Sequence, residues 1–283
     1  MSKKSRLLFY SQVLITSLFL LLVLSIDAYA GAWTLPRNKV YLETAYQEGF
    51  NREEYASDGK KRGFGYGGAG SEHSTFFKLE YGLTDQLNLL TQLPYRMFRF
   101  KNDFDKFRTS DWGDVTVGAK YRLIEEPAVV SMQADVKVPG GYSKDRPVQI
   151  GDGQNDLELR LILSKSFLPI LPFYTSVESG FTFRQKIPSN EIPFSAELGF
   201  YPHPKILLKG YITGINSMKS SGEQEEDLYK WGSSVGFTLI GDGSATTLRN
   251  KKALTLEAGY EEVFAGKNTS AAGLWVMKVF SIF

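Results

Sequence analysis

Covalent and metal chemistry need side chains that this chain barely owns. Among 283 residues there is no cysteine, and there are two histidines. That excludes disulfides, thiolate nucleophiles, iron–sulfur clusters and a multi-histidine metal centre within one chain. His73 stands near Ser71 and Ser74, and His203 sits between Pro202 and Pro204. A serine hydrolase needs serine, histidine and an orienting third group. No third group and no nucleophile motif can be picked out, so the chain reads as a non-enzyme. Residues 152–156 (Asp-Gly-Gln-Asn-Asp) lack the spaced glutamate of a calcium loop and read as a turn. Residues 63–70 (GFGYGGAG) lack the Gly-Lys-Ser/Thr ending of a phosphate loop and read as a flexible connection. No cofactor and no metal is expected.

What remains is charge at alternate positions. Glu43, Lys78, Glu80, Asp114, Lys120, Arg122, Asp135, Lys137, Glu158, Arg160, Glu178, Arg184, Glu197, Lys209, Lys230 and Glu257 share one parity with Glu261 and Lys278. Cations and anions balance. Groups so placed can line a polar passage and brace it by pairing. Lys120 and Arg122 are expected next to Asp135, and Arg160 next to Glu178.

These charges need strands to hold them. Opposite them, on the other parity, are apolar residues: Val115, Val117, Ala119, Tyr121 and Leu123 in one segment, Leu157, Leu159, Leu161 and Leu163 in another. A period of two is the mark of a strand with two unlike faces. Twelve such segments occupy about 39–47, 74–83, 86–96, 114–123, 130–138, 157–164, 173–184, 194–200, 206–213, 229–239, 254–261 and 275–283. The chain is 14% aromatic with 27 glycines, which suits strands and tight turns.

Two architectures use this pattern: a soluble sandwich, whose apolar faces meet in a core, and a membrane barrel, whose apolar face meets lipid. The segments have the length of a tilted bilayer crossing, longer than sandwich strands. Connections alternate between tight turns (84–85, 125–127, 202–204) and long loops (49–71, 98–113, 139–153), as in barrels with short periplasmic turns and long outer loops. Aromatic residues gather near segment ends. The expected fold is therefore an all-β, antiparallel, up-and-down transmembrane barrel of about twelve strands.

The first thirty residues read as a secretory signal: a basic start with Lys3, Lys4 and Arg6, an apolar run over 13–26, and Ala28-Tyr29-Ala30 before the expected cut. Domains are thus a signal peptide over 1–30 and the barrel over 31–283. Outside the signal the charge is balanced and no basic block appears, which argues against nucleic acid.

Gly31-Ala32-Trp33-Thr34, Glu80-Tyr81-Gly82-Leu83-Thr84-Asp85 and the segment from Asp111-Trp112-Gly113-Asp114 to Arg122 carry a resemblance. The chain resembles the outer-membrane barrel family labelled as the MetA pathway of phenol degradation, transporter-like barrels of Gram-negative bacteria. Phe283 matches the terminal aromatic that such barrels present to their assembly machinery. The resemblance implies a cell outer membrane location and a channel or transporter for passive or facilitated passage of a small solute, hydrophobic or aromatic solutes included. It names no ligand and no catalytic residue. The loop aromatics Phe64, Tyr66, Phe104, Phe107 and Tyr142 are candidates to touch that solute. Outer-membrane lipid and lipopolysaccharide are the expected surroundings. Two alternatives stay open: a structural or adhesive barrel with an occluded lumen, and a lipid-modifying enzyme built on His73.

Overall fold

In the computed structural model the alternating segments are antiparallel strands. The described residues are 31–143, 150–151, 153–168, 170–185, 189–218, 226–241 and 252–283; residues 1–30, expected to be a signal peptide, and Asp152 lie outside them. The strands are β1 (Val40–Asn51), β2 (Glu53–Tyr55), β3 (Lys61–Gly63), β4 (Ala69–Gly82), β5 (Leu87–Lys101), β6 (Lys106–Trp112), β7 (Val115–Ile124) and β8 (Val129–Val138). They continue with β9 (Asp156–Ser166), β10 (Phe173–Arg184), β11 (Glu191–His203), β12 (Ile206–Ser217), β13 (Asp227–Ile240), β14 (Ala253–Lys267), β15 (Thr269–Ser270) and β16 (Gly273–Ile282).

One sheet runs β4-β1-β16-β14-β13-β12-β11-β10-β9-β8-β7-β5-β6, and β4 also pairs with β5, which closes it. β6 pairs with the far half of β5 (Tyr95↔Trp112 to Lys101↔Lys106), and β7 with the near half (Leu87↔Tyr121 to Gln92↔Thr116). Gly113 and Asp114 interrupt what is otherwise one stave. The thirteen strands therefore make a barrel of twelve staves. Closure matters in lipid, which offers no partner to the backbone groups of an open edge. Among the described residues no helix is long and apolar enough to cross a membrane; strands do the crossing.

The side chains say which face meets lipid. Leu157, Leu159, Leu161 and Leu163 are exposed, Leu161 at 55%, whereas Ser131 and Ser164 of the opposite parity are at 0% and 1%. Val117, Tyr121, Met132, Val136, Leu198, Phe237, Trp275 and Met277 are exposed likewise. A water-soluble sheet would bury this parity. Here it forms an outward apolar band, the arrangement of a transmembrane barrel.

We call the end with the tight turns and with Val40 and Phe283 the turn end, and the other the loop end. Two sequence expectations are corrected at the loop end. Residues 98–113 are no open loop: β5 and β6 continue as a hairpin with its turn at 102–105. The outward parity there is Arg99, Lys101, Lys106 and Arg108, so polar residues occupy the face that reads as apolar lower down, and the alternation inverts. Residues 49–71 likewise hold β2 and β3, which join β15 in a second small sheet capped by the Lys61–Glu53 ion pair at 2.8 Å.

Candidate functional site: the barrel interior and the strap across it

Residues 31–36 precede β1 and run inside the barrel at its turn end. The Ala32 amide donates to Ser164 Oγ at 2.9 Å on β9, and the Ala32 carbonyl accepts from Ser131 Oγ on β8. Lys120 Nζ on β7 reaches the Gly31 carbonyl at 3.4 Å, and Thr34 Oγ1 donates to the Asp85 carbonyl at 2.7 Å in the turn after β4. Trp33 meets Tyr174 edge-on, centroids 5.8 Å apart. Leu35, with 1% exposure, packs on Ala253, Ile282 and Tyr41 from the opposite wall. The segment is thus a strap from β8–β10 across to β14, β16 and β1. Each of the three buried apolar clusters among the described residues includes a strap residue or packs against one. Gly31 is required where it stands: its φ is +75°, and a Cβ there would lie 2.0 Å from Ser176 Oγ.

Above the strap is a cavity of about 340 Å³ with two kinds of wall. One wall is apolar and aromatic: Trp33, Leu35, Ile162, Tyr174, Tyr201 and Leu207. The other carries Glu43, Lys78, Glu80, Lys120, Arg160, Glu178, Glu197, Lys209, Glu257 and Lys278. A second cavity of about 360 Å³ shares Lys78, Leu90, Gln133 and Arg160 with the first, and adds Asp135, Lys137, Asp156, Glu158, Arg184 and Glu191. A third, about 260 Å³, brings in Lys230 between β9 and β13.

Most of these charges are tied into networks. Lys120 Nζ meets Glu80 Oε1 at 3.0 Å, and Asn88 also donates to Glu80. Arg160 bridges Glu158 and Glu178, the latter at 2.9 Å. Asp156 takes Lys137 at 2.6 Å and Arg184 at 3.5 Å, and Arg184 continues to Glu191 at 2.9 Å. Glu257 holds Lys209 at 2.7 Å and Lys278 at 3.6 Å. Lys230 meets Glu261 at 3.0 Å, which also accepts from Tyr211. Glu43 and Glu197 accept instead from tyrosines, Tyr41 and Tyr174. Lys78 lies over the Tyr41 ring, where the two larger cavities meet.

One expected pairing is met and one is not. Arg160 stands beside Glu178. Lys120 and Arg122 do not reach Asp135: Lys120 goes to Glu80 on its other flank, and Arg122 to Glu125 at 3.2 Å in the adjacent turn. The register explains the difference. Asp135 lies opposite Gly118, and its carboxylate fills the space a side chain would take there; a Cβ on Gly118 would sit 1.9 Å from Asp135 Oδ1. Gln133 completes it with a hydrogen bond of 2.7 Å. The sequence reading also missed Asp156 and Glu191, both buried. Asp156 continues the parity of Glu158, so extending that strand by one residue finds it. Glu191 sits just before Pro193 and gives no alternating signal.

The loop end is narrowed differently. Asp114 fills the break between β6 and β7. It accepts from the Tyr142 hydroxyl at 2.6 Å, and that hydroxyl accepts from the Gly153 amide at 2.7 Å. Arg96 donates to the Ile150 carbonyl and to Glu72, each at 3.2 Å. Tyr142 is therefore buried and occupied, not a solvent-facing aromatic. Phe64 packs edge-on against Phe100, and Tyr66 against Phe104 at the exposed tip. Phe107 lies opposite Phe100 in the β5–β6 ladder.

His73 and Ser74 are consecutive in β4 and face opposite sides of the sheet. His73 pairs with Tyr46 at 3.0 Å, while Ser74, fully buried, donates to Glu72. That geometry separates His73 from Ser74. Among the described residues no cluster of three acidic or histidine groups is placed to hold a metal.

Fold and interior together define a membrane-spanning β-barrel with a polar, cavity-bearing interior. A solved structure carries the same fold. An outer membrane channel from Pseudomonas putida F1 superimposes with a TM-score of 0.67 at 16% identity, over 92% of this chain and 100% of that one. The CymD monoaromatic hydrocarbon channel gives 0.43 at 7% identity, over 87% of this chain and 88% of that one. A Pseudomonas aeruginosa FadL homologue gives 0.43 at 8%, over 87% and 90%. No protein-family model matches the chain, and no curated protein does.

Proposed function

We propose that the chain is an outer-membrane channel for passage of small solutes, with hydrophobic or aromatic molecules among its cargo. The observation that carries this reading is the cavity above the strap. At about 340 Å³ it falls in the size range of small-molecule sites. Its aromatic wall suits a ring, and its ion-paired wall suits a polar substituent. Free passage of large solutes is not expected: twelve strands lie between side-chain-filled small barrels and open pores of 16–18 strands. The long loops face outside the cell and the turn end faces the periplasm. Export uses the signal peptide over 1–30, and Phe283 presents the chain to the barrel assembly machinery. Membership in the phenol-degradation barrel family belongs to this same reading.

The test is reconstitution into liposomes and planar bilayers. Flux of phenol-sized solutes, with a disaccharide excluded, is the expected result; absence of both conductance and flux would overturn it. A second reading is favoured by the strap itself, which crosses the turn end: a structural barrel with an occluded lumen. That reading predicts silence even after the strap is loosened, whereas the channel reading predicts that loosening it raises conductance.

A further inference from the structure

The outward face of β5 and β6 changes character above its aromatic girdle. Phe77, Tyr95 and Trp112 cluster there, with Tyr95 and Trp112 centroids 5.3 Å apart. Beyond them the same face carries Met97, then Arg99 and Lys101 on β5 and Arg108 and Lys106 on β6. Register sets Arg99 directly opposite Arg108, and Lys101 opposite Lys106. Like charges across a rung are destabilising. Yet among the described residues no ion pair reaches any of the four, and both guanidinium groups rest against the Met97 sulfur, at 3.6 and 3.7 Å.

Among the described residues no acid on this face pairs with the four cations: Glu48, two strands away on β1, meets His73 at 3.7 Å instead. The β4 partners of Met97, Arg99 and Lys101 are His73, Ser71 and Ala69. Among the described residues the far edge of β6 has no strand partner. The nearest acids along the chain, Asp103 and Asp105, belong to the turn beyond the four cations. All four side chains are exposed.

We infer that this patch binds the phosphate groups of an outer-leaflet glycolipid. The inference rests on the barrel standing in an outer membrane with its loop end outward. Height selects the ligand. Arg99 and Lys101 lie four and six residues past Tyr95, roughly 13–20 Å along a strand, and a ~45° tilt brings that to roughly 10–14 Å along the membrane normal. Girdle rings mark the edge of the hydrocarbon, so the cations stand at headgroup level on the lipid side. Two opposed guanidinium forks match phosphate oxygens bidentately, and the two ammonium groups add point charge above them. A phosphorylated headgroup thus relieves the repulsion that the bare rungs carry.

The experiment uses the full chain folded in dodecyl maltoside micelles, with bis-phosphorylated lipid A as probe and binding read by native mass spectrometry. Arg99→Gln with Arg108→Gln is expected to weaken binding about tenfold or more, and removing both phosphates from the lipid to do the same. Lys101→Gln with Lys106→Gln is expected to weaken it about threefold, which gives a second arm should the arginine pair fail to fold. Equal binding by wild type and both variants, or by the dephosphorylated lipid, overturns the proposal. So does displacement of the lipid by equimolar inorganic pyrophosphate, which would mark a site for free anions. Folding is followed by the heat-dependent gel shift of the barrel. Conductance of the arginine variant is expected to equal wild type, so a silent channel would count against the transport reading and not against this one.

Discussion

Among the described residues the two ends of the barrel are narrowed by unlike means. At the turn end a short strap buries Ala32 and Leu35, and packs the partly buried Trp33, among apolar side chains from opposite walls. At the loop end the narrowing depends on hydrogen bonds: Tyr142 to Asp114, and Arg96 to the Ile150 carbonyl and Glu72. Apolar packing is non-directional and scales with buried area, whereas a hydrogen bond exchanged against water contributes little net. The turn end is therefore the firmer stop of the two. Between them the ion pairs keep the middle polar without filling it.

The sharpest way to break this comparison is at the strap. Trp33→Gly combined with Leu35→Ser should raise single-channel conductance several-fold in planar bilayers, whereas Tyr142→Phe should change it little. Next in size is the interior network. Lys120→Met removes the ion-pair partner of the buried Glu80 carboxylate and should destabilise the barrel by about 3 kcal/mol in urea titrations from lipid vesicles. Adding Glu80→Gln should recover most of that loss, a coupling that a double-mutant cycle reads directly.

The lipid-facing wall gives a comparable number by another mechanism. Leu161→Arg should cost about 2–4 kcal/mol in the same assay, because its side chain leaves the hydrocarbon only at a price in bilayer distortion. Gly118→Ala should cost about 1–3 kcal/mol, since the new methyl competes with the Asp135 carboxylate for one space. The smallest effect is expected at the loop end itself: Tyr142→Phe should lower stability by about 1 kcal/mol through loss of its bond to Asp114. A conductance rise with Tyr142→Phe as large as that of the strap double variant would reverse the ranking of the two ends.

Alternation made the wall legible. Outward segments from Leu42 and Tyr46 in β1 to Leu254 and Leu256 in β14 stand in a period of two against polar partners, and lipid on one side with water on the other enforces that period; in β16 apolar Leu274, Val276 and Phe280 share the strand with Trp275 and Met277 and blur it. The same rule misleads once a strand leaves the hydrocarbon. Arg99, Lys101, Lys106 and Arg108 keep the strand geometry but face headgroups or water, so apolar alternation vanishes and residues 98–113 read as a loop. Pairing was legible where partners sit on adjacent strands in the obvious register, as for Arg160 and Glu178. It was not legible for Lys120, which has a neighbour on each flank and chooses Glu80 because Gly118 lets Asp135 fold back against the wall.

The sequence by itself determined the number of crossings, which parity meets lipid and most of the charges inside, because the bilayer acts on each strand separately and writes a local pattern. Only the tertiary structure decided where residues 31–36 go and which charges touch. Those contacts join strands far apart in the chain, such as Ala32 with Ser164 and Leu35 with Ile282. No local period records them, since they exist only once the sheet has closed into a cylinder.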